Sequence, residues 1–226
     1  MVESISPSSN SVVAPFDRIQ LRNRRSRAAD QFSTHAFLLD EVGRQLAERL
    51  KDIKRSFATA VDLGCHDGRL APLFSEDYGI EHFIQCDLSQ SMIAKASGPY
   101  KLVADEEWLP FAPESIDLVI SALNLHWVND LPGTLIQIRR ALRPDGLLTA
   151  AVFGGSSLTE LRQAVIKAES QMDGGISPRI APFIEIQDLG ALLMRSGFNL
   201  PVIDTDTITV TYPNALKLMK DIKGMG

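Results

Sequence analysis

The chain of 226 residues is short of cysteine, of long apolar runs and of positive charge, and each shortage excludes a class of protein. Two cysteines, Cys65 and Cys86, cannot staple a disulfide-rich secreted scaffold; they read as small buried thiols in a reducing compartment. No apolar stretch approaches the roughly 20 residues that a membrane-crossing helix needs. A formal net charge of −5 argues against a general nucleic-acid binder, which needs a basic surface. The first 15 residues contain no Arg or Lys and no long apolar core. They match neither a secretory signal nor an Arg-rich transit peptide, and residues 1–15 are expected to form a mobile tail. Internal repeats are missing too. What is present is 45% hydrophobic content, enough for one substantial core, so a single domain over 16–226 is the simplest organisation.

The most informative stretch is residues 58–68, Ala-Thr-Ala-Val-Asp-Leu-Gly-Cys-His-Asp-Gly. A buried strand ends beside Asp62 and enters a turn punctuated by Gly64 and Gly68, and a helical pattern follows over Arg69 to Asp77. Glycine allows backbone angles that a side chain penalises and lets the main chain approach a ligand. A second apolar strand, His82 to Asp87, ends in an acid suited to a ribose diol, with Ser89 as the cap of the next helix. The G-x-G-x-x-G spacing that seats a pyrophosphate is missing, so a ligand with ribose but no pyrophosphate fits better. Tyr100 to Glu106 forms a third strand whose terminal acids, Asp105 and Glu106, are placed to meet an adenine amino group. Ile116 to Ser121 is the fourth strand, and the turn Arg143-Pro-Asp-Gly146 feeds a fifth, Leu147 to Phe153.

Together, Asp62-Leu-Gly-Cys65, Asp87, Ala104-Asp105, the strand containing Asp117-Leu-Val and Leu142-Arg-Pro-Asp-Gly146 resemble the successive motifs of class I S-adenosylmethionine (SAM) dependent methyltransferases. Phe16-Asp-Arg18, Ala104-Asp-Glu-Glu-Trp-Leu-Pro-Phe111, Leu125-His-Trp-Val-Asn-Asp-Leu-Pro132, Phe153-Gly-Gly155 and Asp188-Leu-Gly-Ala-Leu-Leu193 narrow the resemblance to one subgroup. It contains the proteins similar to mitochondrial complex I assembly factor 5 and the malonyl-carrier-protein methyltransferases of biotin synthesis. The resemblance runs from about residue 14 to the end. It implies an α/β, Rossmann-like sandwich with a mostly parallel sheet and helices on both faces. It also implies SAM, or S-adenosylhomocysteine as product, held by Asp62, Gly64, Cys65, His66, Gly68, Asp87, Leu88, Met92, Asp105, Glu106 and Ala122; no metal is expected.

The resemblance further implies methyl transfer to a small or carrier-bound acid, or to a protein. The alternatives are arginine hydroxylation coupled to complex I assembly, with a complex I subunit as partner, and a non-catalytic SAM-binding scaffold. The location expected is the bacterial cytoplasm, or the mitochondrial matrix for the second reading. No Asn-Pro-Pro-aromatic motif follows the fourth strand and no Pro-Cys nucleophile exists, which counts against DNA base methylation. His66 stands at the middle position of the family's Gly-x-Gly-x-Gly turn, where a side chain strains the backbone or crowds the ligand.

His126 is the candidate catalytic residue, as a neutral imidazole able to take a proton from the nucleophile, and Trp127 lies on the substrate side. Arg18, Arg22, Arg24, Arg25 and Arg27 crowd ten residues of an otherwise acidic chain. They form either a solvated basic face or a cover over the cofactor site, with Arg24, Arg25 and Arg27 turned to an anionic substrate or to the SAM carboxylate. A capping box at Ser157 to Glu160 starts a helix to about Gln171, and Gly174, Gly175, Pro178 and Pro182 mark a loop. This insertion, about 156–182, is expected to form a mobile lid with the arginines. An earlier helix should bury Phe37, Leu38, Val42, Leu46, Leu50 and Ile53. A later one runs from about Glu185 to Gly197, and Val202 to Tyr212 reads as a sixth, β-branched strand. No candidate exists for the family's final antiparallel strand, so the sheet should be incompletely paired near the sixth.

Overall fold

A computed structural model describes residues 14–74, 78–172 and 180–226. The expected tail falls on residues 1–13, outside the described residues except for Ala14 and Pro15. So do the end of the first predicted helix after the glycine turn and the loop marked by Gly174, Gly175 and Pro178.

In chain order the elements are α1 (Arg18–Ala28), α2 (Phe37–Lys51), β1 (Thr59–Leu63), α3 (Ala71–Phe74), β2 (His82–Asp87), α4 (Gln90–Ile93), β3 (Tyr100–Val103), β4 (Ile116–Ala122), α5 (Leu131–Ala141), β5 (Leu142–Ala151), α6 (Thr159–Met172), α7 (Ile186–Arg195) and α8 (Ala215–Gly224). Five strands form one sheet in the order β3-β2-β1-β4-β5, and every pairing is parallel. In β4 the whole strand is buried, as a central parallel strand covered on both faces must be.

Two apolar layers cover the sheet. On one face Leu39, Val42, Leu46 and Leu50 of α2 pack with Phe32, Leu70, Phe74 and Met92 against Ala60, Leu118, Ile120 and Ala122. On the other, Leu135, Ile138 and Ala141 of α5 and Leu192 of α7 meet Val61, Leu63, Val119 and Leu142. Alternate residues of β1 and β4 serve opposite layers, which is the period of a strand. The inward stripe of α2 differs from expectation: Leu39, Gly43 and Ala47 join Val42, Leu46 and Leu50, whereas Phe37 and Ile53 are exposed. Spacings of three and four residues from Leu39 to Leu50 trace one helical face; Phe37 falls off it, and Ile53 lies beyond the helix end at Lys51.

Two strand expectations are corrected. Leu142 already pairs with Ile116, and the next partners are Leu147 and Leu118, so Arg143–Gly146 is an irregularity inside β5 rather than a turn before it. Asp145 takes the left-handed conformation there, with φ 62°. Residues 202–212, the predicted sixth strand, join no sheet. Their β-branched composition favours extension, but a strand also needs a paired neighbour. The α6 helix begins at Thr159, later than the capping box implies, because Leu158 sits at φ 55°. At the end of α7 Gly197, φ 87°, closes the helix with Phe198 N–H donating to the Leu193 carbonyl at 3.1 Å. No helix of the described residues is long and apolar enough to cross a membrane.

Candidate active site

Because β1, β2 and β3 are parallel neighbours, their C-terminal ends bring Asp62, Gly64, Asp87, Asp105 and Glu106 to one edge of the sheet. The turn after β1 needs its glycines. Gly64 and Gly68 have φ of 78° and 76°, and an added Cβ would strike Asn124 at the first and Gln85 and Ala96 at the second. Gln85, buried in mid-β2, pins the turn by donating to the Gly68 carbonyl at 3.0 Å while accepting from Gly98 N–H at 2.9 Å. His66 is left-handed, φ 51°. For a side-chain-bearing residue this costs about 1–2 kcal/mol. Its ring stacks on Phe32, centroids 5.0 Å apart, and the Arg69 guanidinium also lies over that phenyl ring at 5.3 Å. Burial, then the nearby Arg25 charge, depress His66 to about 3.

Asp87 is fully buried, and its carboxylate accepts from Ser89 N–H at 2.7 Å and from His66 N–H at 3.1 Å. Asp62 is also fully buried, and neither carboxylate oxygen has a hydrogen-bond partner. Burial, with Asp87 adding repulsion, raises it to about 8. Leu88 is buried beside Asp87, and Met92 and Ala122 belong to the apolar layer beneath. Burial pushes the free Cys65 and Cys86 thiols up, so both are inert.

The arginines of α1 divide by helix face. Arg18 and Arg25 lie two turns apart on the stripe that also buries Leu21 and Ala28. Arg18 bonds Asp105 at 2.6 Å, Glu106, and the Trp127 carbonyl at 3.1 Å. Arg25, 1% exposed, reaches Asp87 at 3.1 Å, Glu106 at 3.4 Å and Asn124 at 2.5 Å. Asn124 in turn donates to Glu106 at 3.0 Å. Arg25 therefore departs from the expected substrate-facing position and helps to anchor α1. Buried ion pairs of this kind cost about 3–5 kcal/mol when one partner is removed. In this structure the segment is a helix docked on the strand ends. Arg24 and Arg27 face outward and line a surface hollow of about 400 Å³ with Asp17, Ile19, Gln20 and Asn23.

Three sequence motifs meet at the start of α1. Asp17 caps the helix by accepting from Gln20 N–H at 2.9 Å. Asn129 bonds the Phe16 backbone and Glu107, and the Phe16 ring meets Trp127 edge-on at 5.3 Å. His126 lies beyond, buried, against Trp127 at 5.2 Å, Phe153 at 4.7 Å and Phe183 at 6.0 Å. A lone parallel bridge between Gly154 and Ile184 holds Phe183 beside Phe153. Neither His126 nitrogen has a hydrogen-bond partner, and burial, then the Arg25 charge, lower it to about 3. Arg162 of α6 lies over Phe183 at 5.9 Å. Asn124, Phe32, Phe153, Phe183 and Arg162 were not legible as site residues. The i, i+7 spacing of Arg18 and Arg25 was a usable signal.

Residues 61–150 match a methyltransferase domain family. Over 93% of its length the chain is 44% identical to human mitochondrial arginine-hydroxylase NDUFAF5, of which it spans 63%. It is 41% identical to the zebrafish NDUFAF5, spanning 67% of that protein, and 32% identical to malonyl-[acyl-carrier protein] O-methyltransferase of Methylovorus sp. strain MP688, spanning 74%. Among solved structures, a chain in the complex of the Haloferax volcanii methyltransferase activator Trm112 with a methyltransferase superposes with TM-score 0.65. It is 21% identical, over 87% of this chain and 84% of that one. The fold and its relatives place the chain in the family of class I SAM-dependent methyltransferases. Within that class the chain belongs to the subgroup of the NDUFAF5 arginine hydroxylases and the malonyl-carrier-protein O-methyltransferases. SAM is the cofactor of that class, and the residues here fit it: the orphaned Asp62 carboxylate lacks the donor that an ammonium supplies.

Proposed function

We propose that the chain transfers the SAM methyl group to a carboxylate oxygen of a small or carrier-bound acid, or to a nucleophile on a protein. The observation that carries this reading is the buried, unpartnered His126 imidazole, walled by Phe153 and Phe183. SAM supplies a cationic sulfonium whose methyl is already activated, so exclusion of water and alignment of the nucleophile provide much of the acceleration. His126, neutral at any working pH, is too weak a base to drive a difficult deprotonation; it holds the acceptor by a hydrogen bond. A carboxylate acceptor needs no proton removed.

In this reading Asp62 takes the cofactor's ammonium, Asp87 its ribose hydroxyls, and Asp105 with Glu106 the adenine end, along the Gly64 to Gly68 turn. Arg24 and Arg27 on the outer face of α1 meet an acidic substrate or carrier protein, and Trp127 stands beside His126 on the substrate side. The likeness to the malonyl-carrier-protein methyltransferase supports a carrier-bound acid and a bacterial cytoplasmic setting. The greater identity to the arginine hydroxylase favours a second reading: hydroxylation of an arginine on a complex I subunit, in the mitochondrial matrix. Incubation with methyl-labelled SAM and cell extract separates them. Label in a small molecule, carrier or protein supports transfer. An unlabelled arginine that gains one oxygen supports the second reading.

A further inference from the structure

We propose that Arg25 is a latch on the cofactor cleft: its guanidinium holds Asp87 and must withdraw before an adenosine ligand engages that carboxylate. The inference rests on the assignment of Asp87 to the ribose. Asp87 already accepts three donors, the amides of His66 and Ser89 and the Arg25 guanidinium. A carboxylate offers about four lone-pair sites, so a diol bringing two hydroxyl donors competes with Arg25 for the same oxygens. Competition is direct, because Asp87, Glu106 and Asn124 are fully buried and Arg25 is 1% exposed.

The latch is built into α1. Arg18, two turns before Arg25, holds Asp105 and Glu106, the acids expected at the adenine end. Ser26 bonds Ser89, the cap of α4, at 2.9 Å, tying the helix to the loop that follows Asp87. An adenosine ligand thus meets two arginine prongs on one helix face. It binds only the fraction of molecules in which they have moved, and its apparent affinity is lowered by that fraction.

The test is calorimetric titration with 5′-methylthioadenosine, which has the ribose and adenine but neither ammonium nor carboxylate, so Arg25 gains nothing from an amino-acid end. The latch predicts that Arg25→Met binds this ligand about tenfold tighter than the natural protein or better, with Arg25→Lys between them. Equal or weaker binding by both variants overturns it. Asp87 keeps two amide donors in Arg25→Met, and Arg25→Lys keeps a cation at the site, so the lysine form reports even where the methionine form does not fold. S-adenosylhomocysteine is titrated in parallel. Binding of it without any gain for methylthioadenosine refutes the latch alone; no binding to any form removes the cofactor assignment and the latch with it.

Discussion

Asp62 makes cofactor binding a proton-linked event whose size follows from its surroundings. Burial, with the Asp87 charge second, raises its carboxyl from 3.8 to about 8, and no donor reaches either oxygen. At pH 7 it therefore holds a proton in roughly nine molecules of ten. An ammonium requires the ionised form, so binding at pH 7 should release nearly one proton, at a cost of about 1.4 kcal/mol relative to the fully ionised carboxylate. Below pH 8 the affinity for S-adenosylhomocysteine should fall about tenfold per pH unit. Above it the affinity levels off until the ligand's own α-amino group loses its charge, which places the optimum on the alkaline side of pH 8. The same shift acts on stability with a definite sign. The folded state holds a proton that the unfolded chain has lost, so stability falls as pH rises from about 4 to about 8 and is level beyond. Titration calorimetry in two buffers of different ionisation enthalpy reads the proton directly, and Asp62→Asn should abolish both its release and the acid-side slope. A pH-independent affinity with no proton released would refute the assignment of Asp62 to the ammonium.

Replacing Arg24 and Arg27 with Gln should leave melting temperature and S-adenosylhomocysteine affinity nearly unchanged while raising the KM for an acidic substrate, by a margin that shrinks with added salt; unchanged KM would make these residues an ordinary solvated face. His66→Gly removes left-handed strain of about 1–2 kcal/mol. It also loses stacking on Phe32 of about 0.5–1.5 kcal/mol, so thermal denaturation should show a net change within about 1 kcal/mol. His126→Phe removes two unpartnered buried nitrogens and should raise stability by about 1 kcal/mol, while the lost hydrogen bond to a charged acceptor, about 1.5–3 kcal/mol, should slow turnover roughly 10- to 100-fold with cofactor affinity intact; full activity in this variant would make His126 a packing residue.

The part of the site written in local pattern was legible. Strands that end in Asp62, Asp87 and Asp105 announce a crevice, because parallel neighbours align their C-terminal ends. Gly64 and Gly68 announce a turn that no other residue makes cheaply. What sequence left out depends on partners distant along the chain. Five arginines in ten residues show a charge cluster; only the docked helix shows that Arg25 turns to Asp87 and Arg24 to solvent. The β-branched run at 202–212 has strand propensity but pairs with neither edge strand of the sheet, β3 or β5. Phe37 and Ile53 look apolar enough for the core; Phe37 misses it by helical phase and Ile53 by lying past the end of α2. His126 was visible as a residue type beside a strand end, but its aromatic wall is assembled from Phe153 and Phe183, brought together by the Gly154 to Ile184 bridge.

Methyl transfer itself is tested most directly by mixing the purified protein with deuteromethyl-labelled SAM and a carrier protein charged with a malonyl group, then weighing the carrier by intact-mass spectrometry. The account predicts one labelled methyl on the acyl group and S-adenosylhomocysteine in equal amount. S-adenosylhomocysteine that never forms, with every offered acceptor unlabelled while SAM binds, would contradict it.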